Sequence, residues 1–238
     1  MCIRDSLLFL YLATFPYQKG LNNPNELTRL YTSYALAEHQ QFNIDSVLQE
    51  WGHVGDLSSR DGKTYSPKAP FQSWVGVPLI WIFSQNKSGK GFSEPPRALL
   101  RLLRILGSGI FVFAFIFVLF SRWGVRTSKK EQAGLVLIFG LGTMLFPYGI
   151  LFTGHALGAS LAGVSFVLAA QLAEFDRPRP FLSGLAGCTA AFASFSDYPS
   201  ALLAVPAVFL IAHASIKKNV STVLQHGIAG VALSLIHI

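Results

Sequence analysis

The second half of the chain alternates long apolar runs with short basic connections, whereas residues 17–96 are polar and broken by turns. Apolar runs cover Ala98–Ser121, Ala133–Ile150, His155–Leu172, Phe181–Phe195 and Pro199–Ile216, and a further one starts near Val223. A helix needs roughly 20 apolar residues to cross a bilayer, and these runs approach or reach that length. The pattern predicts an all-α polytopic membrane protein with a large first loop on one side. Leu7–Pro16 is apolar too, but short for a span.

Within the polar stretch, Pro24 and Asn25 open a predicted helix, Glu26–Gln41. Leu27, Leu30, Tyr31, Tyr34 and Ala37 form one apolar stripe, as in an amphipathic helix lying on a surface. A second short helix is expected over Ser46–Trp51, and Asp61-Gly62 is a turn signal. Phe71–Phe83 is apolar, contains Pro78 and falls short of a full span. Charge decides how to read it. If it crosses, Arg122, Arg126, Lys129, Lys130, Arg177, Arg179, Lys217 and Lys218 all lie outside. If it does not, all of them lie inside, as the positive-inside rule prefers, although Lys87, Lys90 and Arg97 then lie outside. Phe71–Phe83 is therefore expected to be an interfacial or half-inserted helix, and the outer loop to run from 17 to 96.

Composition agrees: 51% of residues are apolar and 13% charged, where a soluble domain carries about 25% charged residues. The net charge of +7 is carried mostly between apolar runs. It reads as a topology signal rather than a nucleic-acid surface. The ends have another explanation. One DNA word, CTGTCTCTTATACACATC, translates to Leu233–Ile238, and the reverse complement of its first part reads Met1–Asp5 and the start of the next codon. It resembles the transposon end used in sequencing libraries. Residues 1–6 and 233–238 are thus expected to be artefacts flanking one transmembrane domain, 7–232, cut at both ends. On that view Leu7–Phe15 is the tail of a first span rather than a signal peptide. Cys188 is then the one native cysteine, in an apolar run, with no disulfide to propose.

The predicted outer side gathers Asn25, Glu26, Arg29, Asp56, Asp61, Lys63, Tyr65, Lys68, His155, Asp197 and Tyr198. Ionisable groups at a membrane are costly and are functional candidates by default. Carboxylates, a histidine and cations together suit an anionic substrate, a metal or both. Structural readings stand beside these. Glu26 sits at a helix start, where the dipole favours a carboxylate. Arg29 is placed to pair with Glu26 one turn away. Asp61 is read as a turn residue and Arg104 as a snorkelling flank residue. His155 is a candidate helix cap, and Asp197 a candidate N-cap for a helix starting at Pro199. His39, His53, His213 and His226 show no ligand spacing.

Several of these motifs carry a resemblance. Asn25-Glu26-Leu27-Thr28-Arg29, the helix ending near Phe42-Asn43-Ile44-Asp45, and Asp61–Pro70 with Tyr65, Lys68 and Pro70 resemble the first outer loop of GT-C type glycosyltransferases. That group includes protein O-mannosyltransferases and lipid A aminoarabinose transferases. Phe146-Pro147-Tyr148 through Gly154-His155-Ala156, and Asp197-Tyr198-Pro199, resemble later outer-loop motifs of bacterial relatives. The resemblance implies a GT-C-like helix bundle in a bacterial inner membrane. It also implies inverting transfer of a hexose or pentose from a polyprenyl-phosphate donor to a lipid or glycan acceptor at the periplasmic face. Glu26 then matches the second residue of an acidic pair, a general base or metal ligand. Lys68, with Arg97, Arg101 and Arg104 on one helix face, would hold the donor phosphate; Arg29, Tyr65, His155 and Asp197 would join the binding site. One position departs from the pattern. Asn25 stands where the group has its first acidic residue, and an amide is only a neutral ligand. The resemblance therefore leaves a divalent-metal cofactor undecided and makes Asp56 or Asp61 the next choice of base. The rival class is a transporter or flippase of a lipid-linked glycan, which should carry paired broken helices in related halves; only Phe71–Phe83 shows such an interruption.

Overall fold

The computed structural model describes residues 3–14, 21, 23–85, 95–123, 128–175 and 179–217. The expected helix near Val223, the segment 233–238 and the basic residues Lys87, Lys90, Arg126, Arg177 and Lys218 lie outside the described residues. The chain is mostly helical and divides into two compact units, one of residues 1–110 and 144–154, the other of 111–143 and 155–238.

The first unit begins with α1 (Ile3–Thr14) and α2 (Pro24–His39). Asn23 caps α2 by accepting from Asn25 N at 2.9 Å, and Pro24 takes the first turn, where its missing N–H costs nothing. Gln40 stops the helix in a left-handed conformation with φ 54°. After α3 (Asp45–Trp51), β1 (Ser58–Arg60) and β2 (Lys63–Tyr65) form an antiparallel hairpin closed by Asp61-Gly62. Both turn residues have positive φ (52° and 74°), as a type I′ turn requires, so the turn signal marked a hairpin. Asp45 Oδ1 accepts from Thr64 N at 3.0 Å and fastens the hairpin to α3.

Leu30, Tyr31, Tyr34, Ile44, Val47, Ile80, Leu99 and Leu103 make this unit's core, so the apolar stripe of α2 faces inward as read. The expectation of a helix lying on a surface is corrected, however. Thr28, Arg29, Thr32 and Ser33 on its other side are buried as well, and the small Ser33 lets α4 (Phe71–Gln85) approach closely. Ser33 Oγ lies 2.8 Å from both Arg29 O and Ser73 O, and a Cβ on Gly76 would sit 2.6 Å from that hydroxyl.

Helix α4 buries Gln72, Ser73, Gly76 and Ser84 together with Ile80, and exposes Trp74, Trp81 and Ile82. At ~1.5 Å per residue its 15 residues reach about 22 Å, less than the ~30 Å hydrocarbon core. The chain continues through α5 (Arg97–Arg104), a π-helical turn (Ile105–Gly109) and α6 (Ile110–Trp123). Residues Arg97–Ser121 form one apolar helix of 25 residues, about 37 Å long. A short α8 (Leu145–Gly149) also belongs to the first unit.

The second unit contains α6 from Phe111 onward, α7 (Lys129–Leu141), α9 (Gly154–Glu174), α10 (Pro180–Ser196) and α11 (Ser200–Lys217). A capping box of Ser128 and Glu131 starts α7. The predicted continuous span Ala133–Ile150 is corrected to two helices with a break at Gly142–Met144. Pro147 lacks an N–H and its ring conflicts with the carbonyl four residues back, which accounts for the break. Helices α10 and α11 bury Ala186, Gly187, Ala190, Ala204 and Ala207, and expose Phe181, Leu202 and Phe209. Small residues inside and large apolar residues outside is the packing expected of helices facing lipid. Among the described residues, Arg97–Ser121 and Gly154–Glu174 are long and apolar enough to cross a membrane.

Candidate functional site

In the first unit the polar residues converge on the start of α2. Glu26 lies in its first turn and Arg104 ends α5. Arg104 Nε donates to Glu26 Oε1 at 3.1 Å and Nη2 donates to Oε2 at 3.3 Å. Phe152 N donates to the same Oε1 at 2.7 Å. Both side chains of the pair are at most 2% exposed. A buried carboxylate needs such bidentate pairing to offset its lost hydration. The reading of Arg104 as a snorkelling flank residue is therefore corrected: its guanidinium turns inward, away from Arg97 and Arg101, which are both exposed.

The neighbouring expectation is corrected too. Arg29 does not pair with Glu26; its Nη1 donates to Asn25 Oδ1 at 2.5 Å. Asn25 and Glu26 thus both turn their oxygens toward guanidinium groups. Such a set does not fit a divalent cation, which would meet two positive charges and occupied lone pairs. Among the described residues no group of three His, Cys, Asp or Glu side chains is arranged to hold a metal ion.

A second polar line runs beside this pair. Gln72 Nε2 donates to Gly107 O at 3.2 Å and to Ser108 Oγ at 3.0 Å, and Ser108 Oγ donates to Thr153 O at 3.3 Å. Gly107 lies in the π turn, and its carbonyl accepts from Gln72. The sequence reading missed Gln72, Ser108 and the role of Arg104. A signal existed: each is a polar residue in or beside an apolar run.

Further along the loop, Lys68 Nζ lies 2.6 Å from Asp56 Oδ2, with both side chains about one-quarter exposed. The candidate base and the candidate phosphate ligand thus neutralise each other. Tyr65 is half-buried on β2, and Asp61 is an exposed turn residue beside Arg60, 3.5 Å away.

In the second unit His155 Nδ1 lies 3.0 Å from Asp197 Oδ2. Asp197 does not cap α11 through its side chain, as one reading expected. Its backbone carbonyl accepts from Ser200 N at 2.9 Å, and the carboxylate goes to the histidine. Tyr198 beside it is exposed.

The chain matches no protein-family model, no curated protein and no solved structure.

Proposed function

We propose that the protein is a multi-pass glycosyltransferase of a bacterial inner membrane. It moves a sugar from a polyprenyl-phosphate donor to a lipid or glycan acceptor at the periplasmic face, on a GT-C-like helix bundle. The observation that carries this reading is the arginine pair at one end of the longest apolar helix. Arg97 and Arg101 are exposed one turn apart, and among the described residues neither has an ion pair. Two guanidinium groups at the polar end of a membrane-length helix suit the phosphate of a lipid held alongside that helix. As the bond from the sugar to the phosphate breaks, negative charge grows on the departing oxygen, and fixed cations there lower the barrier. The outward Trp74 and Trp81 of α4 support the same reading, since tryptophan favours the membrane interface.

Glu26 has a different part from the one the resemblance implies. Its oxygens already accept three hydrogen bonds, so it serves to hold Arg104 and the backbone at Phe152 rather than to take a proton. The break between α7 and α8 favours the rival reading, a flippase, by adding a second interrupted helix. The two readings separate in proteoliposomes containing the full-length protein and undecaprenyl-phosphate glucose, mannose or aminoarabinose with labelled sugar. Label transferred to acceptor lipid supports the transferase; donor translocation without transfer supports the flippase.

A further inference from the structure

The geometry points to His155 as the base that activates the acceptor hydroxyl, with Asp197 as its positioning residue; this rests on the transferase reading above. The two side chains come from separate helices of one unit. His155 lies in the first turn of α9, and Asp197 lies between α10 and α11. Their approach is built in. A Cβ on Gly158, one turn beyond His155, would collide with Ser200 Oγ and lie 3.2 Å from Asp197 Cβ, so α9 presses against the 197–200 turn without a side chain between them. The turn satisfies Ser200 N with a backbone carbonyl, which releases the Asp197 carboxylate for the imidazole.

An ionised carboxylate only accepts, so Nδ1 carries the hydrogen and Nε2 is the basic nitrogen. The histidine side chain is 43% exposed and its aspartate partner 17%, the order expected when the ring meets a substrate and the carboxylate orients the ring. In the step, the acceptor oxygen attacks the anomeric carbon while its proton passes to His155 Nε2. The sugar–oxygen bond to the phosphate breaks, and its electron pair leaves with the polyprenyl phosphate. Asp197 stabilises the imidazolium that forms. Of the other carboxylates considered for this task, Glu26 is engaged by Arg104 and Asp56 by Lys68, and Asp61 is an exposed hairpin-turn residue beside Arg60.

The test uses full-length protein in proteoliposomes with the three labelled undecaprenyl-phosphate sugars named above. His155→Ala is expected to lower kcat about 100-fold or more. Free imidazole in the buffer should recover at least tenfold of that loss, which a purely structural histidine would not show. His155→Gln, which keeps a donor toward Asp197, should insert normally and stay inactive. Asp197→Asn should lower kcat while leaving the donor KM unchanged. Wild-type transfer that survives in His155→Gln, or a His155→Ala loss that imidazole does not relieve, overturns the base assignment alone. No transfer by the wild type from any of the three donors overturns the transferase reading and this assignment with it.

Discussion

Glu26 and Arg104 lie 78 residues apart in the chain and meet as a buried two-point ion pair at 3.1 and 3.3 Å. The pair ties the first turn of the loop helix to the last turn of α5, and Phe152 N adds a third element to the same carboxylate. Removing one partner strands the other charge in a buried site, whereas replacing both removes the problem. Glu26→Gln and Arg104→Gln should each destabilise the protein by about 3–5 kcal/mol. Glu26→Leu combined with Arg104→Met should recover most of that loss. Thermal unfolding in detergent measures the cycle; equal, additive losses would show that the pair is not coupled.

Gly107 sits in the π turn, and a Cβ there would lie 2.6 Å from the ring of Phe152, which is fully buried. The ring has no solvent to move into, so overpacking should cost about 1–3 kcal/mol in Gly107→Ala. The same substitution at Gly134, where a Cβ would meet nothing within 4 Å, is expected to leave the melting temperature unchanged or raise it slightly.

If α4 rests in the interface without crossing, cysteines at Ser58 and Ala98 should be labelled from the same side by an impermeant maleimide. A background lacking Cys2 and Cys188 is used. Labelling from opposite sides would make α4 a span and reverse the predicted sidedness of the basic loops. Brominated lipids should also quench Trp81, which is 54% exposed, far more than Trp51, which packs between Tyr31 and Tyr34.

Tyr34 is held neutral by its surroundings. Burial, then the charges of Glu50 and Glu38, push its hydroxyl up to about 12 from the usual 10. A raised value means that the stabilising effect is complete below about pH 10 and is lost as pH climbs toward 12. The tyrosinate absorbance titration should therefore lose a late component in Tyr34→Phe, and that variant should unfold less steeply between pH 10 and 12. An unchanged titration curve would contradict the environment described for Tyr34.

Much of the helical layout was legible. The runs 98–121 and 155–172 announced helices by apolar length, and Pro24 and Asn25 marked the start of α2 to within two residues. Local chemistry sufficed there. The break at Gly142–Met144 was also local, but the apolar run concealed what Pro147 does to the preceding turn. The partners of the candidate residues were not legible. Arg29 had two acceptors in reach, Asn25 and Glu26, and only the long-range arrival of Arg104 decides between them. The polar residues that α4 buries were hidden for a related reason, since Gln72 and Ser84 at its ends look like flanks until Ser108 and α2 are seen against that face.

The most direct measurement compares wild-type protein with Arg97→Gln/Arg101→Gln for transfer of labelled sugar from undecaprenyl-phosphate donors. Hydrogen bonds to charged groups are worth about 1.5–3 kcal/mol each, so losing them should raise the donor KM at least tenfold or depress kcat/KM by that factor. Membrane insertion should be unaffected. Wild-type transfer with an unchanged donor KM in the double variant would contradict the phosphate clamp, and absence of transfer in the wild type would contradict the proposed function itself.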